Sequence, residues 1–483
     1  MRSSAYIFFS VHEPLFHAIA KELKNRYGIK KFSGFVWGKD QKRFLEKQDV
    51  IYEPLYVFSR DILPKIKIGK PDFVYLKECE EKYEISIYRM VYSERHLLKK
   101  MNFQEIMKLV EILFRDIEQS YIKIKPDFIF SEDVSCLTSY IHWVVARKMG
   151  IPYYIIGSGK LPYRVSIYTN QFQQWERTDS LFQEVLMKGL TSNEMSEALR
   201  FLEEFRKNKK RPSGMDTRSR LHFITKYDIT RIINSTKKYF LDRANHTLKN
   251  PAGIVGQRFL RLYRFHTANL IKIFDKPVKG EKYVLYPLHF QPEASTLVLA
   301  PYYLDQLALI ENMAKSLPVG YRLYVKEHFT SQGRRPFSFY KRIKKTFGVR
   351  LLGPHEDSWQ LIQNASAIAV ITGTMGWEAL LFEKPVITFG EVFINSFPLV
   401  YQAGRVPKDQ WYRIFHEAIF RYRPNLELLL KYLWCVLHST YPGFIGNPST
   451  FPQVMKPENI RNLAYALADA AGLKEKSEII AVS

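Results

Sequence analysis

Residues 371–390, ITGTMGWEALLFEKPVITFG, decide the fold. An apolar run from Ala367 leads into Thr372-Gly373-Thr374, a helix-forming stretch follows, and a second apolar run begins behind Lys384-Pro385. Strand, turn, helix and strand in this order make the repeating unit of a parallel sheet, because parallel neighbours need a crossover. The turn admits two readings. Thr374 is a plain helix cap, worth roughly 1 kcal/mol, or the turn is a phosphate cradle. A helix start offers unpaired N–H groups and about half a positive charge.

The same alternation extends outward on both sides. KYVLYPL, YRLYVKEH, VRLLG, AIAVIT and PVITFG read as strands, with amphipathic helices between them, over residues 281–405. It recurs near the start, where AYIFFSV (5–11), FSGFVWG (32–38), PDFIF (126–130) and PYYIIG (152–157) are strands and SYIHWVVARKMG is a helix. The spacing predicts an α/β protein with two Rossmann-like, doubly wound domains, 1–178 and 281–405, separated by a helical basic insert, 179–280. A helical tail, 406–483, closes the chain; Pro457 opens its last helix and Gly472 follows it. The polar stretch RPSGMDTRSR (211–220) breaks the insert.

Composition narrows the class. The chain has 483 residues, of which 46% are hydrophobic and 25% charged, as expected of a water-exposed globular protein. No apolar run reaches the ~18 residues of a membrane-spanning helix. The basic and apolar N-terminus is broken by His12 and Glu13 and reads as a first strand, not a signal peptide. Three scattered cysteines make no CxxC pair, which fits a reducing, cytoplasmic setting. The net charge of +24 is concentrated: residues 206–279 carry 19 Lys or Arg against 4 Asp or Glu, a net +15. Such a field attracts polyanions, and in QRFLRLYRFHTANLIKIF aromatic and apolar residues (Phe259, Leu262, Tyr263, His266) share one helical side with arginines interleaved. That pattern fits a peripheral contact with the anionic inner face of the cytoplasmic membrane, or a helix packed on its neighbour. No nucleic-acid-binding motif accompanies the charge, so no specific nucleic acid is expected.

Ligands of doubly wound sheets bind where strands end and helices begin. In the second domain these ends carry His289, Gln291 and Glu293 after the first strand, Lys326, Glu327 and His328 after the next, and Thr372, Gly373 and Thr374 with Glu378 one helical turn on. Lys and His there suit a departing phosphate; Arg334 and Arg335 read as solvent-facing, or as partners of a phosphate or a carboxylate. In the first domain Glu132 and Asp133 end a strand, and one of them is a candidate general base. His12 and Glu13 are a rival site, and Lys160 and Arg164 are candidates to hold an acceptor. There is no HExxH, DxD, Cys/His cluster, Walker loop, GxGxxG or GxSxG, so neither metal nor cofactor is expected.

The motifs PLHFQPEAS, LYVKEHF and ITGTMGWEALLFEKPVITFG together resemble the bacterial capsule polysaccharide biosynthesis family, which contains two-domain (GT-B type) glycosyltransferases, some transferring Kdo. The layout is also similar to bacterial sialyltransferases and polysialyltransferases, with a His-Pro motif followed by a Ser/Thr motif. The resemblance implies an inverting, metal-independent transferase with a nucleotide-sugar co-substrate, a CMP-sugar being favoured, and a glycan or lipid-linked glycan acceptor. It implies that His328, Thr372 and Thr374 contact the donor phosphate and that Glu132 and Asp133 are the acidic pair. Phe329 stands where that pattern has proline, and Val134 where it has glycine. A CDP-activated polyol-phosphate transferase of teichoic-acid type and a non-catalytic polyanion-binding assembly protein are the alternatives.

Overall fold

The computed structural model describes residues 2–209, 226–243, 245, 248 and 250–475. The polar break at 211–220 lies outside them.

The first sheet is built from β1 (Ser4–Phe8), β2 (Lys31–Val36), β3 (Tyr52–Val57), β4 (Phe128–Ser131), β5 (Tyr153–Ser158) and β6 (Arg164–Tyr168). The second contains β7 (Tyr283–Pro287), β8 (Arg322–Lys326), β9 (Val349–Leu352), β10 (Ala367–Val370), β11 (Val386–Thr388) and β12 (Val400–Gln402). A short β13 (Tyr441–Pro442) returns to the first sheet. Nearly every residue of β1, β4, β7, β8 and β10 is buried, as strands covered on both faces by helices must be.

The parallel part of the first sheet runs β3-β2-β1-β4-β5, and the whole second sheet runs β9-β8-β7-β10-β11-β12. Both are the doubly wound order, in which the chain starts in the middle, works to one edge and returns to build the other. Strand order therefore reverses between β1 and β4 in one domain and between β7 and β10 in the other. A crevice opens beyond the carboxyl ends at each reversal.

The first sheet is not wholly parallel. β6 folds back antiparallel on β5, and β13 pairs antiparallel with β6. The tail that brings β13 joins both domains: helix Trp411–His416 enters the second domain's core, and the later part returns to the first. Helix Leu426–Ser439 packs on Glu176–Lys188 and Ser192–Asn208, and helix Pro457–Ala470 packs on Glu13–Tyr27. Trp175 stacks on Phe393 of the second domain with ring centroids 3.9 Å apart, within a core cluster that spans both domains. A fully buried ring of that size contributes about 1.5–3 kcal/mol, so the floor between the domains is apolar and firm. The architecture is that of two Rossmann-like domains of GT-B type.

Among the described residues of 179–280 the elements are helical, and one isolated bridge joins Asp275 to Leu352. Helix Ser192–Asn208 ends on the second domain, where Arg206 donates to the Leu381 carbonyl at 2.7 Å and pairs with Glu383. Helix Pro251–Leu270 lies against the loop that follows β8.

Candidate active site

A cleft of about 1180 Å³ lies between the domains, and both walls contribute to it. Its second-domain wall holds His289, Glu293, Lys326, Glu327, His328, Thr372, Gly373, Thr374 and Glu378; its first-domain wall holds Lys160.

The turn after β10 resolves the question its sequence raises. Helix Thr374–Leu381 is capped by Gly373, with no side-chain cap bond, and Thr374 is the first helical residue. Thr374 is thus not the cap. Its hydroxyl makes no hydrogen bond among the described residues, and it lines the cleft beside amides that have no intrahelical acceptor. Thr372 behaves differently, for its hydroxyl donates to the Ser295 carbonyl at 2.8 Å and ties the turn to the loop after β7. Gly376 lets the helix close on the sheet, since a Cβ there would stand 2.9 Å from Val370 Cγ2.

His289 lies across the β7/β10 reversal and is buried. Its Nε2 accepts the Thr372 N–H at 3.0 Å, and burial first, then the charges of His328 and Arg335, pulls its pKa down to about 3. The ring is neutral and shapes the turn. A Cβ at residue 373 would come within 3.1 Å of the same Nε2, so a side chain there would push the imidazole by a few tenths of an ångström. Gln306 braces the loop by accepting from the His289 amide at 2.8 Å. Gln291 is turned toward Leu304 and Gln306, at 2.9 and 2.7 Å, and is not among the residues lining the cleft.

His328 lies two residues past the end of β8 and caps a short 3-10 turn, Phe329–Ser331. Its Nδ1 accepts the Thr330 N–H at 3.2 Å, which leaves the proton of a neutral ring on Nε2. Phe329, at the position of the expected proline, packs edge-on against His355, with centroids 5.6 Å apart. Lys326 is buried and donates to the Pro354 carbonyl at 3.0 Å. Glu327 is a brace beneath the loop: it accepts from the His328 amide and the Tyr340 hydroxyl, both at 2.6 Å, and pairs with Arg335 at 3.2 Å. Arg335 also donates to the His289 carbonyl at 2.6 Å. Of the readings of Arg335, the solvent-facing one is corrected and the carboxylate partner holds, because a buried carboxylate below it demands a charged partner.

In the first domain, the β1/β4 reversal brings the two rival sites together. His12 Nδ1 stands 3.0 Å from Glu132 Oε2. Burial works against charge on His12, but the contact with Glu132 outweighs it and the pKa is raised. Asp133 accepts from the Tyr168 hydroxyl at 2.7 Å and from Gln173 at 3.2 Å. Burial, then the neighbouring Glu132 charge, pushes its pKa above the ordinary carboxylate value. Desolvation raises Glu293 and lowers Lys160; Lys160 feels the charges of both Asp133 and Glu293, so the two walls are electrostatically in touch. Arg164, expected to hold an acceptor, is instead turned to the tail, where it donates to Thr440 Oγ1 at 2.7 Å and to the Leu437 and Thr440 carbonyls. It sits on β6, and pairing with β13 turns it away from the cleft.

Several site residues escape sequence reasoning. Arg95, whose charge reaches Asp133 and Glu293, sits in an irregular loop with no motif. His355 follows β9 at the cleft, where the strand-end rule points to it. Tyr163, Phe444 and Phe451 line the first-domain wall, and the last two arrive only because the tail folds back. Arg261 and Arg264 of helix Pro251–Leu270 donate to the carbonyls of Gln332, Thr330 and Arg334, so they face the protein and grip the loop that follows His328. Phe259, Leu260, Tyr263 and Leu270 of the same helix are exposed. Among the described residues there is no cluster of three His, Cys, Asp or Glu suited to a metal ion, and no helix is long and apolar enough to cross a membrane.

With two doubly wound domains and a cleft between their strand ends, the profile of the family described as "Capsule polysaccharide biosynthesis protein" matches residues 99–441. The chain belongs to that family. No curated protein matches it. Among solved structures it is similar to KpsC of Thermosulfurimonas dismutans, described as a beta Kdo 2,7 transferase, at 13% identity over 74% of this chain and 89% of that one, with a TM-score of 0.38. The beta Kdo 2,4 transferase of the same organism's KpsC is 16% identical over 71% and 87%, also at 0.38. UDP-GlcNAc 2-epimerase from Neisseria meningitidis, bound to UDP-GlcNAc, is 13% identical over 97% and 99%, at 0.30.

Proposed function

We propose that the protein is an inverting, metal-independent glycosyltransferase of capsule polysaccharide assembly, using a nucleotide-activated sugar, with CMP-sugars such as CMP-Kdo or CMP-sialic acid favoured. The observation that carries this reading is the cleft itself. A helix start without a side-chain cap bond at Thr374 and an imidazole N–H at His328 share one wall, while Lys160 on the other feels the charge of Asp133, a carboxylate of raised pKa just outside the cleft lining.

In this scheme Asp133, oriented by Tyr168 and Gln173, takes the proton of an acceptor hydroxyl. The acceptor oxygen bonds to the anomeric carbon from the face opposite the nucleotide. The bond from that carbon to the phosphate oxygen breaks, and the electron pair leaves with the phosphate. His328 Nε2–H, the Thr374 hydroxyl and the free helix amides donate hydrogen bonds to the departing phosphate, with Lys326 adding positive charge. Glu132 holds His12, and Glu327 with Arg335 holds the His328 loop.

The basic segment 206–279 is proposed to seat the enzyme against an anionic membrane. Supporting this, Phe259, Leu260, Tyr263 and Leu270 are exposed at helical spacing while Arg261 and Arg264 of the same helix grip the second domain. A thermal-shift screen with CMP, CDP, UDP and GDP tests the donor class, because a ligand that binds the native state raises apparent stability. Stabilisation by CMP supports the favoured donor. Stabilisation by CDP alone, with transfer of a polyol phosphate seen in the product mass, rejects it.

A further inference from the structure

The cleft is larger than the roughly 300–1,000 Å³ that one small ligand fills, so a donor nucleotide leaves part of it open. The remainder is bounded on the first-domain side by Tyr163, Phe444, Phe451 and Gln453.

The turn from Gly159 to Tyr163 is built in an unusual way. Lys160 and Tyr163 both have left-handed backbone, at φ 56° and 55°. A bulky residue rarely holds that conformation unless its surroundings enforce it. Here the turn is closed by the Gly159 N–H donating to the Arg164 carbonyl at 2.9 Å, and the Tyr163 carbonyl accepts from the Gly443 N–H at 2.9 Å. The conformation puts a large ring, 68% exposed, on the wall of a cleft. Behind it stands Phe444, edge-on at 6.4 Å between centroids, and Phe451 lies 5.7 Å beyond that. Phe444 is fixed by Asn459, whose side chain bonds both its amide and its carbonyl at 2.8 and 2.9 Å. The result is an exposed aromatic plate with an apolar backing.

We propose that Tyr163, backed by Phe444, is the stacking platform for a sugar ring of the acceptor, which makes the acceptor a glycan or glycoside and not a bare polyol. One face of a pyranose presents several C–H groups, and an aromatic ring attracts them while the sugar hydroxyls stay in water. A glycerol- or ribitol-type acceptor has no such face. The proposal rests on the transferase reading for the word acceptor, but the binding it describes is independent of any nucleotide.

The test is saturation-transfer NMR and titration with methyl glycosides of Kdo and of galactose, and with glycerol 1-phosphate as the polyol probe, on the full chain. Wild type is expected to bind a methyl glycoside through its C–H face. Y163A is expected to weaken that binding by about tenfold, the scale of one lost aromatic contact, and Y163F to retain it. Glycerol 1-phosphate is expected to bind neither form. Unchanged glycoside affinity in Y163A, or glycerol 1-phosphate bound in place of both glycosides, overturns the platform, as does the absence of glycoside binding to wild type. CMP stabilisation is read on the same samples. If it is missing while glycoside binding still depends on Tyr163, the donor reading fails and the platform stands.

Discussion

The Thr372 amide donates to Nε2 of His289 across 3.0 Å, joining the two loops at the point where the second sheet reverses its strand order. The acceptor role requires a neutral ring, and burial holds the pKa down to about 3. An unfolded histidine titrates near 6.5. Between those values the unfolded chain binds the extra proton. The stabilisation from neutral His289 is therefore complete above about pH 6.5 and lost as pH falls toward 3. Lowering the pH from 6.5 to 5 is expected to cost roughly 1.5 kcal/mol from this residue. Thermal unfolding of wild type and H289Q across that range checks it, with a flatter slope expected in the variant. Parallel slopes reject the neutral-acceptor role.

Arg335 is the only cation bonded to Glu327 among the described contacts, and the Glu327 side chain is fully buried. R335M leaves that carboxylate uncompensated and is expected to destabilise the protein by about 3–5 kcal/mol. Adding E327Q in the same chain removes the stranded charge and is expected to restore much of the loss. Calorimetric melting of wild type and the two variants measures this. A double variant no more stable than R335M contradicts the brace.

With Asp133 as the proposed base, its raised pKa is expected to lift the acidic limb of the kcat/KM profile above the ordinary carboxylate range. A base works only when deprotonated, so activity falls as pH drops through that limb. D133N is expected to lower kcat by roughly 10²–10⁴. E132Q, which removes a charge that raises Asp133, is expected to move the limb to lower pH. Rate profiles of wild type and E132Q that superimpose contradict the coupling.

Much of this fold is legible in sequence because strands covered on both faces announce themselves as unbroken apolar runs; β1, β4, β7, β8 and β10 all do. β6 does not. Arg164 opens it, and the partner on its outer edge, β13, lies some 276 residues further on. That non-local pairing is why Arg164 reads as an acceptor ligand and turns out to be a tail anchor. Strand-end placement pointed to His328 and Thr374, which line the cleft, and to Asp133, which is not among its lining residues, since that rule is geometric. It did not separate residues that face the cleft from those that hold its loops. Glu327, Gln291 and His289 look alike as polar residues after a strand, and only their burial and partners set them apart.

Membrane contact through helix Pro251–Leu270 is expected to require both charge and apolar insertion. Vesicles containing anionic lipid should sediment the protein, and neutral vesicles should not. F259S/Y263S is expected to reduce the bound fraction severalfold at low salt, with the cleft untouched. Equal binding to both vesicle types, or no change in the variant, removes the membrane role.

The most direct measurement is isothermal titration of CMP into wild type, H328A and T374A, with folding verified by thermal melting. Wild type is expected to bind, and each variant to lose about tenfold or more in affinity, the scale of one charge-assisted hydrogen bond, while its melting temperature stays close to wild type. Equal CMP affinity in all three proteins, or no nucleotide bound by wild type, contradicts a donor phosphate held between His328 and Thr374.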